Sequence, residues 1–195
     1  MSSISIRDLV SEKYRTSKEY FRVRTTMEQN LARSEKIERY ATHEAGHFLY
    51  LHRTKLIVAP EDAIFEGPTI LDEEGEIGYF MAAVRSNRIS LSDETLVYTE
   101  ALLEDLADAS VAGNVFELAK FEADEETKPS ATGDFKTLSR HCYKAMTRNG
   151  LSYEAFSLWT KAHTRVTKNL LEASFSDAEI EVAKQVIRKF CFGLP

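Results

Sequence analysis

Cysteine is scarce in this chain: Cys142 and Cys191 are the two present, and they do not have the C-x-x-C spacing of a redox or zinc-ribbon pair. Each falls among apolar neighbours in a stretch that reads as helix. A buried free thiol is the reading, with a disulfide or a metal role as the alternatives. Long apolar runs are missing too. No stretch of about 18 apolar residues exists to cross a bilayer, and the start, "MSSISIRDLVSEKYR", has charges where a secretory signal needs an apolar core. A cytoplasmic protein without a membrane segment is therefore expected. No G-x-x-x-x-G-K-[ST] phosphate loop occurs, which excludes a nucleotide-driven motor of that kind within the chain. Basic residues are thin in the middle: positions 56 to 126 hold 3 Lys/Arg against 18 Asp/Glu. Phosphate binding needs a basic face, so nucleic acid is not expected as a partner. The acidic third reads as solvated surface, or as an attraction for cationic substrates or partners.

What is present suits a soluble globular fold. The 195 residues are enough to bury a core without staples, and 43% apolar with 29% charged residues argues against extended disorder. No internal repeat or low-complexity tract is apparent. Residues 5 to 30 are polar with thinly spaced apolar positions and read as an N-terminal helical arm, leaving 31 to 195 as the main domain. From Leu31 to His52 there is no proline, and Ile37, Ala41, Ala45, Phe48 and Leu49 keep helical spacing. "LIVAP" and "EIGYFMAAV" then bracket turn residues and predict a small, antiparallel sheet at 55 to 84. A helix follows to Phe121, opened by Ser90 and Asp93 in capping-box spacing. The loop "EADEETKPSATG" breaks it, and "DFKTLSRHCYKAMTRNG" forms the next helix, closed by Gly150. Two more helices follow, one capped by Ser152 and one by a Ser176 to Glu179 capping box. The fold class predicted is mainly α (α+β), with a small sheet inserted after the first long helix.

That first helix carries "YATHEAGHFLYLH", residues 40 to 52. H-E-x-x-H puts His43 and His47 on one helical face about a turn apart, so both imidazoles can reach a single cation. Glu44 lies about 100° round, close enough to act on a water at that cation without being a ligand. Zinc takes imidazole nitrogens tetrahedrally and, with three protein ligands, leaves a position for water, whose pKa falls to about 7. Gly46 costs about 1 kcal/mol in a helix interior relative to alanine, which is easier to explain if something approaches the backbone there. The third ligand is not given by the motif. Of the other histidines, His52 is out of register with the motif and reads as surface or packing. His141 lies two turns beyond Asp134 near its face, and His163 has no supporting pattern. Tyr153, Phe156 and Trp159 keep helical spacing as core or interface positions.

The order "HEAGH", a short strand ending in proline, "GYF", a helix with "SVAGNVFE", then "TGDFKTLSRHCYKAMTRNGLS" resembles the FtsH-type zinc peptidase family over residues 38 to 155. That family reads H-E-A-G-H, a strand ending I-P, L-G-Y, A-G-R-x-A-E-E, then T-G-A-S-N-D opening a helix that runs to Y-G-M-S. The resemblance implies His43 and His47 as imidazole ligands of Zn2+, Glu44 as general base, and Asp134 as the carboxylate ligand. On the residues alone, Asp134 in the first turn of a helix is also explained by the helix dipole. Glu117, after the A-G pair, is either support for the ligands or a helix-face charge. Departures are Phe48 in place of the family's alanine, the shortening of T-G-A-S-N-D to "TGD", and acids in "VAPED" near the strand where the resemblance places a bound peptide.

The function implied is a zinc-dependent endopeptidase, free-standing and ATP-independent, acting on peptides or unfolded chains. It is expected to act without the ATPase and membrane anchor that the family joins to this domain. A separate ATPase partner and a homo-oligomer are compatible with the family's habits. The alternative is a catalytically silent binding or regulatory module that keeps the fold.

Overall fold

A computed structural model describes residues 32–67, 83–121 and 127–194. Among them are helices α1 (Ala32–Arg53), α2 (Glu100–Lys120), α3 (Thr127–Asn149), α4 (Ala155–Leu171) and α5 (Asp177–Phe192). Strands β1 (Ala63–Glu66) and β2 (Ala83–Ser86) lie between α1 and α2. They pair antiparallel, with Phe65 opposite Val84 and Ala63 opposite Ser86. This is the mainly helical fold with a two-stranded insertion that the sequence predicts. The N-terminal arm at 5 to 30 lies outside the described residues.

Helix α2 is the central element. Its residues Val111 through Glu117 are all buried, and a helix buried on every side must be enclosed by neighbours; α1, α3 and α4 all pack on it, and α5 packs on α1. Where α1 crosses α2, a Cβ at Gly46 would stand 2.6 Å from the Ala112 carbonyl oxygen. That glycine is the price of the close crossing. Glu38 ties the assembly from α1, receiving Lys120 of α2 at 2.6 Å and both Lys184 and Arg188 of α5. Burial opposes charge on Glu38, yet these three cations hold its carboxyl down to about 2.

Several expected boundaries are displaced, each for a local reason. "LIVAP" is not a strand. Lys55 takes φ +61° and the Ile57 N–H bonds back to Leu51 O at 2.9 Å, so the run closes α1 as a left-handed C-terminal motif. Leu56 and Ile57 are buried by it, and β1 starts only after the short 3-10 turn at Pro60–Asp62. The residues that suggested a helix start at Ser90 close local turns instead, with Asp93 accepting from the Thr95 N–H and hydroxyl at 2.8 and 2.7 Å. The real N-cap is Thr99. Glu154, not Ser152, caps α4. Helix α3 begins at Thr127, earlier than expected, because Pro129 falls in its first turn, where a missing N–H is no loss. Asp134 is thus about two turns inside the helix, and the helix-dipole explanation for it fails. Gly150 does take a left-handed φ of +68° after α3, and the Ser176–Glu179 capping box is formed. Of the aromatic trio, Trp159 packs edge-on against Phe135, whereas Phe156 is exposed.

Candidate metal centre

Helical spacing on α1 turns His43 and His47 toward α2, where both are buried. Each ring is fixed by its far nitrogen. His43 Nδ1 meets Glu117 Oε2 of α2 at 2.9 Å, and His47 Nδ1 meets the Ala109 carbonyl at 2.7 Å. A carboxylate and a carbonyl only accept, so both Nδ1 atoms must carry hydrogen, and the neutral rings present Nε2 lone pairs. Those two Nε2 atoms stand 3.0 Å apart. Asp134, from α3, places Oδ2 at 3.2 Å from His43 Nε2 and 3.3 Å from His47 Nε2. This oxygen is buried and, with both imidazoles neutral, has no hydrogen-bond donor among the described residues.

Three electron-rich atoms facing one another at such distances repel unless a positive charge lies among them. Atoms bound tetrahedrally to one zinc at about 2.0–2.1 Å stand about 3.3 Å apart, the size of this triangle. The donor set fits a metal ion on chemistry and on spacing. Glu44 is close as well, since His43, Glu44 and His47 bring ligand atoms within 4.8 Å of one another and form a group able to hold a metal ion. Between the two carboxylates, Asp134 is the better third donor. Its Oδ2 has no other partner among the described residues, whereas Glu44 Oε2 accepts the Val84 N–H of β2 at 2.9 Å.

The charges of these groups govern one another's protons. Burial pushes both imidazoles down, but Asp134 overcomes it, with Glu117 adding to the effect at His43, so both histidines hold a proton more firmly than a free imidazole. Burial raises Asp134, and the two histidines then hold it well below the usual carboxylate range. Burial also raises Glu44, and here it prevails over the histidines and the Val84 amide. A metal must displace the histidine protons, so its affinity falls with falling pH.

Glu117 is not a helix-face charge. It is buried, bonds His43 through one oxygen, and takes Arg39 Nε on the other at 2.7 Å. The sequence reading did not single out Gly113, yet a Cβ there would stand 2.4 Å from His47 Nε2 and 2.6 Å from His43 Nε2. A glycine in the middle of a long helix was the signal. Arg39, the Ala109 carbonyl and the Val84 amide left no mark in the sequence. His52 is exposed, and His163 Nδ1 lies 3.5 Å from the Thr167 hydroxyl on its own helix. Cys142 and Cys191 are free and buried, as expected. Comparisons with protein-family models, curated proteins and solved structures find no match to this chain. No described helix is long and apolar enough to cross a membrane.

His141 is buried but stands apart from this group, its Nδ1 sharing a hydrogen with the Tyr98 hydroxyl at 2.9 Å. Burial, then the charge of Lys144, lowers it from 6.5 to about 4. Stability from the neutral ring is complete above pH 6.5, and it is lost as pH falls toward 4 because the unfolded chain takes the proton first. The shift corresponds to about 3 kcal/mol. Urea denaturation of the wild type and His141→Gln at pH 7.5 and 4.5 should show the wild type losing about 2–3 kcal/mol more than the variant over that interval. Parallel losses would show that His141 titrates normally in the fold.

Proposed function

We propose that this chain is a zinc-dependent endopeptidase that hydrolyses peptide bonds in peptides or unfolded chains. The carrying observation is the buried triangle of His43 Nε2, His47 Nε2 and Asp134 Oδ2, with 3.0 to 3.3 Å sides and an oxygen to which no group outside the two imidazoles donates among the described residues. The resemblance of "HEAGH" and the segments after it to FtsH-type peptidases supports the same three residues. Two imidazoles and a carboxylate would also suit ferrous iron; the glutamate between the histidines favours hydrolysis.

His43, His47 and Asp134 would hold a zinc ion, which would supply Lewis acidity toward a carbonyl and a water. Glu117 and the Ala109 carbonyl keep both imidazoles in the tautomer that offers Nε2, and the bond from Arg39 Nε to Glu117 Oε1 fixes that side chain toward His43. Glu44 is the proton carrier: its buried carboxylate takes a proton at Oε from the attacking water and returns it to the leaving amine.

The test is cleavage of an unstructured polypeptide by the purified protein, before and after treatment with 1,10-phenanthroline. Cleavage should vanish with the chelator and return with added zinc. Cleavage that persists in the metal-free protein would defeat the reading. A zinc-loaded protein that cuts nothing would make the chain the silent binding module instead.

A further inference from the structure

Glu44 is buried next to a ligand histidine and within ligand range of both, yet the proposed chemistry needs it as a base. What stops it from joining the metal? The answer lies in the register of the sheet. The Asn87 N–H bonds to Asp62 O at 2.8 Å, which continues the ladder by one pair. Bonded and non-bonded pairs alternate in an antiparallel ladder. Ile64 with Arg85 and Glu66 with Ala83 are therefore bonded pairs, and Phe65 with Val84 is not. The Val84 N–H points away from β1, out of the edge of β2, and its partner is Glu44 Oε2 at 2.9 Å. The strand that carries it is itself anchored, because Ser86 is buried and its hydroxyl donates to Leu56 O behind α1.

We propose that the main-chain N–H of Val84 is a positioning group that decides the role of Glu44, tethering the carboxylate away from the donor triangle so that it serves as a base and not as a fourth ligand. A carboxylate beside a cation with no competing donor would bind it and close the position that water needs. The tether is a backbone group, so no side-chain pattern displays it. The inference rests on the metal reading above and adds the element that keeps the site open.

Cobalt(II) tests it, because its visible d–d spectrum reports the ligand set without any substrate. Val84→Pro removes the donor, and an edge-strand position whose N–H points outward tolerates proline. A second variant replaces Val84 with its α-hydroxy acid, which converts the amide to an ester and keeps the side chain should the proline protein fail to fold. Each is compared with and without Glu44→Gln. The expected result is a wild-type spectrum that Glu44→Gln leaves unchanged. Both donor-deleted proteins should show a shifted spectrum and tighter cobalt retention, and Glu44→Gln should restore both to wild-type values. Donor-deleted proteins with the wild-type spectrum, insensitive to Glu44→Gln, would overturn the inference while leaving the metal site standing. A wild-type protein that takes up no cobalt would overturn the metal reading and this inference with it.

Discussion

Glu44→Gln is expected to slow peptide cleavage by about a thousandfold while the protein keeps its metal, because general-base assistance contributes about a hundred- to ten-thousandfold. The substitution is nearly isosteric. The amide oxygen of glutamine can still accept the Val84 N–H that Glu44 Oε2 accepts at 2.9 Å, so the fold and the three donors should survive. Only the capacity to take a proton is lost. Measuring kcat, KM and metal content on one preparation checks this: kcat should collapse with KM and metal little changed. Unchanged kcat would remove Glu44 from the chemistry. Metal lost along with activity would make Glu44 a ligand.

Gly113→Ala should abolish metal binding, although alanine is the better helix former by about 1 kcal/mol. The added methyl would sit 2.4 and 2.6 Å from the two Nε2 atoms. Neither ring can retreat, because Glu117 and the Ala109 carbonyl hold the Nδ1 atoms. Relief must come from separating α1 and α2 or from forcing the rings off their rotamers, at a cost of about 1–3 kcal/mol for an overpacked site. Gly133→Ala is the control. It lies beside Asp134 on α3, where a Cβ meets nothing within 4 Å, so the same substitution should keep the metal and hold or raise the melting temperature. If Gly113→Ala binds zinc as tightly as the wild type, the two imidazoles do not converge beside α2 as described.

Periodicity made α1, α2, α4 and α5 legible, because an apolar stripe at helical spacing shows itself over many residues. Their ends were less legible, since the same residue types serve both caps and turns. Ser90 and Asp93 sit in capping-box spacing but bond within local turns, and "LIVAP" has strand composition but closes α1. The site divided along a similar line. His43, Glu44 and His47 share one helical turn and announce themselves by spacing. Asp134 comes from another helix 87 positions beyond His47; resemblance named it, and the folded chain brings it to 3.3 Å. Glu117 stood between two meanings until its bonds to His43 and Arg39 were seen. Val84 was beyond reach, because its contribution is an amide that every residue except proline possesses.

The central claim is that His43, His47 and Asp134 hold one metal ion, and elemental mass spectrometry tests it most directly. Wild type, His43→Ala and Asp134→Ala would be refolded with zinc, freed of excess, and analysed for zinc per chain, with circular dichroism to confirm folding. The expected result is close to one zinc in the wild type and little in either variant. A folded wild type without zinc would contradict the account, as would a folded Asp134→Ala that keeps a full equivalent.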